Sequence, residues 1–349
     1  MNAQQAPKVT KETKNKIRVE FERTPLLQRL KAKYLSMNFL QNVVWAVFRY
    51  VLLIGLSYVI LYPFFSKIAG SFMSMDDFVD VTVKLIPKYP TLDTYAQIIT
   101  KNGYFSAMFN TLLLSVLCGL VQTFICCVIG YGISKFKFRG AKLIFALVIF
   151  TMIVPHKTLQ LSLFMHFKYF DILGIFKFLG GGVFDWLKIF NFSSINLLNT
   201  YWPLALLSFG GLAFKNGLYI FMMRQFFRGV PDELEESAYI DGSGVFRTFI
   251  QIILPLSIPM MITIFLFSFS WQWTDSFYSS LFFTGTGIKL LPSIVAIPMG
   301  MDTVYAGQQL YESAILNTCG LLIILPLVIV YLFCQRYLIQ GIERSGIVG

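Results

Sequence analysis

Apolar residues along this chain gather in six long runs, approximately 43–66, 106–134, 141–166, 197–223, 252–283 and 313–337, with polar stretches between them. A helix rises only ~1.5 Å per residue, so about 20 largely apolar residues cross the hydrocarbon layer of a bilayer. Each run reaches that length. The pattern predicts an all-α integral membrane protein with six transmembrane helices. Gly119, Gly130 and Gly132 in the second run offer small faces where neighbouring helices approach closely. Pro155, in "IVPHKTLQL", predicts a kink in the third.

The polar stretches have patterns of their own. Residues 1–42 are polar and basic, and the part up to Lys16 has the composition of a disordered tail. "TPLLQRLKAKYLSMNFLQNVVWAVFRY" (24–50) reads as an amphipathic helix suited to the inner membrane surface. "FDWLKIFNF" (184–192), after the glycines at 180–182, reads as an interfacial helix on a hinge. These features divide the chain into a basic N-terminal segment (1–42), a membrane domain (43–339) and a C-terminal tail (340–349).

One polar stretch has helix signals at both ends. In "GVPDELEESAYIDG" (229–242), Pro231 suits the first helical position, where a missing N–H costs nothing. Asp232, Glu233 and Glu235 bring negative charge to the positive end of the helix dipole. Gly242 suits the left-handed residue that ends a helix. The spacing predicts about three turns over 231–242, too short to be stable alone in water. It therefore predicts a docking surface. "SGVFRTFIQIILP" is expected to start a second helix at an angle, stopping at Pro255.

Composition supports the membrane assignment: 56% of residues are hydrophobic and 13% charged, against about 25% charged in a soluble domain. The net charge of +11 raises nucleic acid as a partner, but its distribution argues against it. If the runs alternate across the membrane, 18 of the 29 Lys and Arg share one side and 8 the other, "SKFKFRGAK" (134–142) contributing most densely. Basic loops stay cytoplasmic, which predicts both termini inside and contacts with anionic lipid. The five cysteines have no metal or disulfide spacing and read as packing residues. The first apolar run follows some 40 polar residues, so no cleavable leader is expected.

The 229–255 stretch resembles the EAA motif of ATP-binding-cassette (ABC) importer permeases: Glu-Ala-Ala, three residues, Gly, nine residues, Ile, any residue, Leu-Pro. Here it is Glu236-Ser237-Ala238, Gly242, then Ile252, Leu254 and Pro255, with every spacing kept and a serine for the first alanine. "YIFMMRQFFRGVPDELEESAYIDGSG", "LPLSIP", "LLNTYWPLAL" and "RYLIQGIERSGIVG" are similar to the smaller permease of carbohydrate importers, the MalG-type family. The likeness covers most of 43–349.

That resemblance implies a MalG-like type I importer fold, with the 231–242 helix as the cytoplasmic coupling helix. Glu236, Ser237, Ala238, Asp241 and Gly242 would meet an ATPase subunit. It implies a second permease subunit, two ATPase subunits and an extracytoplasmic sugar-binding protein. ATP and Mg would sit in the ATPase subunits, with no cofactor on this chain. The loop 284–313, with Pro292 and Pro298 shaping an exposed connection, would face the binding protein, and 340–349 is a second candidate ATPase contact. Residues 174–196 form an insertion relative to the family, suited by Phe184, Trp186 and Phe190 to the headgroup layer or to the binding protein.

Candidate substrate contacts are Tyr201 and Trp202 in "NTYW", and Trp271, Trp273 and Asp275 in "WQWTD". Sugars present apolar faces to aromatic rings and hydroxyls to polar groups. His156, Lys157 and Lys215 join Asp275 as ionisable groups in or near spans, where such groups are costly. They read equally as pathway-lining or as snorkelling groups. No P-loop pattern occurs, and the histidines, His156 and His166, have no carboxylate at metal spacing, so the expectation is a transport subunit and not an enzyme. An ion-coupled secondary transporter, or a permease for a non-sugar solute, is the alternative.

Overall fold

In the computed structural model of the chain, the described residues are 37–171, 194–285, 287–301 and 308–344. Most of the 1–42 segment, most of the 174–196 insertion and the end of the C-terminal tail lie outside them. The chain divides into two units, Met1–Ser66 and Lys67–Gly349.

Helix α1 (Met37–Ser71) supplies all that is described of the first unit. Its apolar side chains, including Trp45, Phe48, Ile54 and Val59, are exposed around the whole circumference. A helix apolar on every face suits a lipid surrounding.

The second unit continues with α2 (Met75–Val79), α3 (Asp93–Lys101), α4 (Tyr104–Lys135), α5 (Ala141–Ile153) and α6 (Gln160–Lys168). After these come α7 (Trp202–Phe209), α8 (Asn216–Arg228), α9 (Glu233–Ile240), α10 (Val245–Trp273), α11 (Phe277–Phe282) and α12 (Gln308–Arg344). Helix α4 is central, with α7, α8 and α10 packed along it. Gly130 permits the tightest of these approaches: a Cβ there would lie 2.6 Å from the Met223 Cβ on α8. Gly119 lies against Phe265 of α10, whereas Gly132 meets only its own helix's Phe136, at 4.0 Å. Gln122 joins three helices, donating from Nε2 to Ser208 Oγ on α7 at 3.1 Å and accepting from Ser268 Oγ on α10 at 2.8 Å.

Among the described residues, four helices are long and apolar enough to cross a membrane: α1, α4, α10 and α12. The expected third run is α5 and α6, bent by 92° at Pro155, with a 3-10 turn over His156–Leu159. Proline forces the preceding residue out of the helical region, and Val154 is extended. What the sequence predicts as a kink is a full break. The expected fourth span, 197–223, is not one helix either. Helix α7 ends at Gly211 (φ +68°), where Leu212 N–H donates to Leu207 O and Gly211 N–H to Ser208 O. That paired closure terminates a helix. Helix α8 begins five residues after Gly211, behind Lys215, itself left-handed at φ 67°. The six expected runs therefore map onto four single helices, one bent pair and one divided pair.

Prolines inside the long helices have visible compensation. Pro326 of α12 lacks the N–H that would bond Leu322 O, and Tyr104 OH donates to that carbonyl instead, at 2.9 Å. The segment 287–301 is less exposed than expected. Leu290, Leu291, Ile294 and Pro298 are buried, and Asn102 Nδ2 donates to Ile294 O and Ala296 O. Phe170 and Ile195 exchange both backbone hydrogen bonds at 3.0 Å, so the two ends of the 174–196 insertion lie side by side.

Candidate functional site

The EAA stretch folds as an elbow. Helix α9 is eight residues long, about two turns instead of three, because Pro231 stands before the N-cap and not at the first helical position. The N-cap Asp232 already has helical dihedrals and makes no capping bond. Its carboxylate lies 2.5 Å from Lys135 Nζ at the end of α4, and that ammonium holds the Asp232 carboxyl below its ordinary range. Lys135 also donates to Val230 O at 2.6 Å and lies 3.7 Å from Glu235 Oε1. Tyr131, one turn earlier on α4, donates to Glu235 Oε2 at 3.2 Å. Lys135 and Glu235 side chains are only 6% and 10% exposed, so this clasp is shielded from screening by salt.

The other end of α9 closes at Gly242, φ +81°, as the sequence predicts. Ser243 N–H donates to Ala238 O and Gly242 N–H to Tyr239 O. These bonds satisfy carbonyls that the helix end would leave free.

Of the residues expected to meet an ATPase, Glu236, Ser237, Asp241 and Gly242 are exposed, while Ala238 is 5% exposed and faces its own chain. The exposed corner carries apolar side chains as well: Leu234, Tyr239, Ile240, Val245 and Phe246, with Ile240 86% and Phe246 76% exposed. Contiguous apolar exposure in a solvated loop marks a docking surface.

The second arm differs from expectation. It does not stop at Pro255 but continues as α10 to Trp273. A π-turn over Phe249–Ile253, in which Leu254 N–H reaches back to Phe249 O, widens the helix just before the proline. That widening relieves the clash of the Pro255 ring with the preceding turn. Ile252 is half-buried, Leu254 packs beside the cluster formed by Tyr131, Met223 and Phe249, and Pro255 is exposed.

The breaks in the third and fourth runs border a cavity of about 430 Å³, lined by His156, Leu159, Leu207, Phe214, Lys215 and Tyr278 among others. His156 Nδ1 and Tyr278 OH are 2.9 Å apart, and the imidazole sits 4.8 Å from the Phe214 ring. Lys215 Nζ lies over the rings of Phe214 (4.9 Å) and Trp271 (5.1 Å). A left-handed non-glycine residue costs about 1–2 kcal/mol, and the cation–π contacts to the two rings offset part of that.

The candidate substrate residues are dispersed by the fold. Trp271 (47% exposed) joins the Lys215 cluster. Trp273 is buried and donates from Nε1 to Ile323 O of α12. Asp275 accepts from the backbone N–H groups of Tyr278 and Ser279, starting α11. Tyr201 is half-buried against Phe283, and Trp202 is 60% exposed. Sequence reasoning missed Lys135, Tyr131 and Glu235 as a unit. Their separation of about 100 residues leaves no local signal, beyond the cation density at the end of α4.

This architecture is that of a multi-pass membrane permease subunit. A solved bacterial ABC transporter involved in the import of the acidic polysaccharide alginate shares the fold, with a TM-score of 0.59 at 20% identity over 85% of this chain and 97% of that one. Residues 122–344 match the family described as binding-protein-dependent transport system inner membrane component, and the chain belongs to that family. It is therefore an ABC permease subunit and not itself an enzyme, and it works with partner permease and ATPase subunits.

The chain is also similar to the polygalacturonan/rhamnogalacturonan transport system permease protein YtcP of Bacillus subtilis (25% identical, 89% of this chain and all of that one). The galactooligosaccharides transport system permease protein GanQ of the same organism is 25% identical over 87% of this chain and 95% of its own. The maltodextrin transport system permease protein MalD of Streptococcus pneumoniae is 28% identical over 85% and 93%.

Proposed function

We propose that this chain moves an oligosaccharide across a bacterial cytoplasmic membrane. It would act as one half of a permease heterodimer, fed by an extracytoplasmic sugar-binding protein and driven by two ATPase subunits that hold ATP and Mg. The names of YtcP, GanQ and MalD support the carbohydrate cargo. The observation that carries the coupling role is the elbow: an apolar corner, exposed on one side and clasped to α4 on the other.

In this reading both termini are cytoplasmic, and Glu236, Ser237, Asp241 and Gly242 meet the ATPase beside Ile240 and Phe246. Ala238 keeps the helix close to its own bundle. Closure of the ATPase pair on ATP moves the two elbows, and the rigid spans alternate between inward- and outward-open arrangements. The 284–313 segment faces the binding protein, and the 174–196 insertion lies in the headgroup layer beside it.

Two measurements test the reading. A photo-crosslinking amino acid at Ile240, in membranes from cells making the whole transporter, is expected to capture an ATPase subunit; capture of lipid alone would remove the coupling role. Deletion of the gene is expected to abolish uptake of at least one oligosaccharide, and unchanged uptake across a panel of them would remove the carbohydrate role.

A further inference from the structure

The cavity between the two broken runs has a charge that the coupling role does not explain. Lys215 has no carboxylate within ion-pair distance among the described residues. The carboxylate nearest in the fold, Asp275, shares a smaller adjoining pocket with Trp271 and Tyr278 but is engaged by two backbone N–H groups. None of the residues lining the main cavity is acidic.

We propose that this cavity is a subsite for the uronate units of an acidic oligosaccharide, with Lys215 taking the carboxylate and Trp271 the face of the sugar ring. The proposal rests on the carbohydrate reading and narrows it to a chemical class.

Four observations carry it. First, irregular backbone at membrane depth is tolerated where it is buried in protein or lines an aqueous cavity, and here two breaks border the same space. Second, its volume of about 430 Å³ falls among small-ligand sites. Third, the Lys215 ammonium is held in place by the rings of Phe214 and Trp271, and its left-handed backbone directs the chain there. Trp271 keeps half of its surface open for stacking. Fourth, His156 and Tyr278 fix each other through Nδ1 and the phenol, which leaves His156 Nε2 for a sugar hydroxyl.

A neutral sugar would satisfy the ring and the imidazole but leave an ammonium uncompensated in a low-dielectric place. A carboxylate compensates it. A single cation also suits a pathway, where a ligand must enter and then leave.

The test uses the complete transporter, with both permeases, the ATPase subunits and the binding protein, reconstituted in liposomes. Tetragalacturonate and tetramannuronate are the acidic probes and maltotetraose the neutral one. The wild type is expected to import an acidic probe. Lys215→Met, in complexes recovered at wild-type yield, is expected to lower that uptake by at least about tenfold, and Lys215→Arg to restore most of it.

Import of maltotetraose alone by the wild type would overturn the acidic assignment while leaving the carbohydrate reading intact. Import of none of the three would count against the carbohydrate reading and the subsite together. Equal uronate uptake by wild type and Lys215→Met would also overturn the subsite, and would leave Lys215 as a cation for lipid headgroups.

Discussion

Gly242 shows how a single residue shapes the elbow. Its φ of +81° is a conformation that a β-branched residue resists, by about 1–2 kcal/mol, while asparagine tolerates it. No atom lies within 4 Å of the position a Cβ would take, so the cost of substitution is in the backbone and not in a clash. Gly242→Asn is therefore expected to retain most substrate uptake and Gly242→Val to lose most of it, with both variants inserted in the membrane. Equal uptake by the two would show that the left-handed closure of α9 is dispensable. Gly242 was readable from sequence because its signal is local: acids at one end of a short segment and glycine at the other. Glu235 was read only as a dipole charge. Its bonding partners Tyr131 and Lys135 lie on another helix, and nothing in the spacing connects them.

Among the helices, the α4–α8 contact at Gly130 is the tightest. Gly130→Leu would force the side chain into Met223 and the Arg224 backbone, an overpacking that costs about 1–3 kcal/mol. A lower melting temperature of the purified transporter is expected, with Gly132→Leu close to wild type because only Phe136 lies near it. If both variants melt alike, the close approach does not hold the pair together. The apolar runs were legible because bilayer length imposes them on the sequence. The breaks were less so. Pro155 announced its own break, but Gly210-Gly211 sits inside an apolar run, and hydropathy averaged over a span passes across it. The π-turn had no sequence signal beyond Pro255, which was misread as a stop because its steric conflict is absorbed by widening the helix. The elbow's position was legible in full, whereas the cavity was visible only as separate residues, Lys215, His156 and Trp271, with no indication that they meet.

At the scale of the whole molecule, the clasp ties α9 to the end of the central helix, which itself touches α7, α8 and α10. Movement of the elbow therefore reaches the cavity through rigid elements. Lys135→Ala is expected to leave ATP hydrolysis by the assembled transporter running while uptake falls severalfold; parallel loss of both would mean that the clasp serves assembly and not transmission. The pair also has a defined pH response. The Asp232 carboxyl is held low, so its pairing is complete at neutral pH and fades only as the pH drops below the ordinary aspartate value of about 3.9, towards the depressed one. Acidity near neutrality should not weaken coupling. The π-turn between elbow and span has a geometric corollary. It holds one residue more than a regular helix needs, and each residue advances a helix by about 100°. Deleting Gln251 would leave the membrane portion of α10 in register with its neighbours and swing the apolar corner roughly a quarter-turn around the helix axis. The same surface would then point away from where its partner waits.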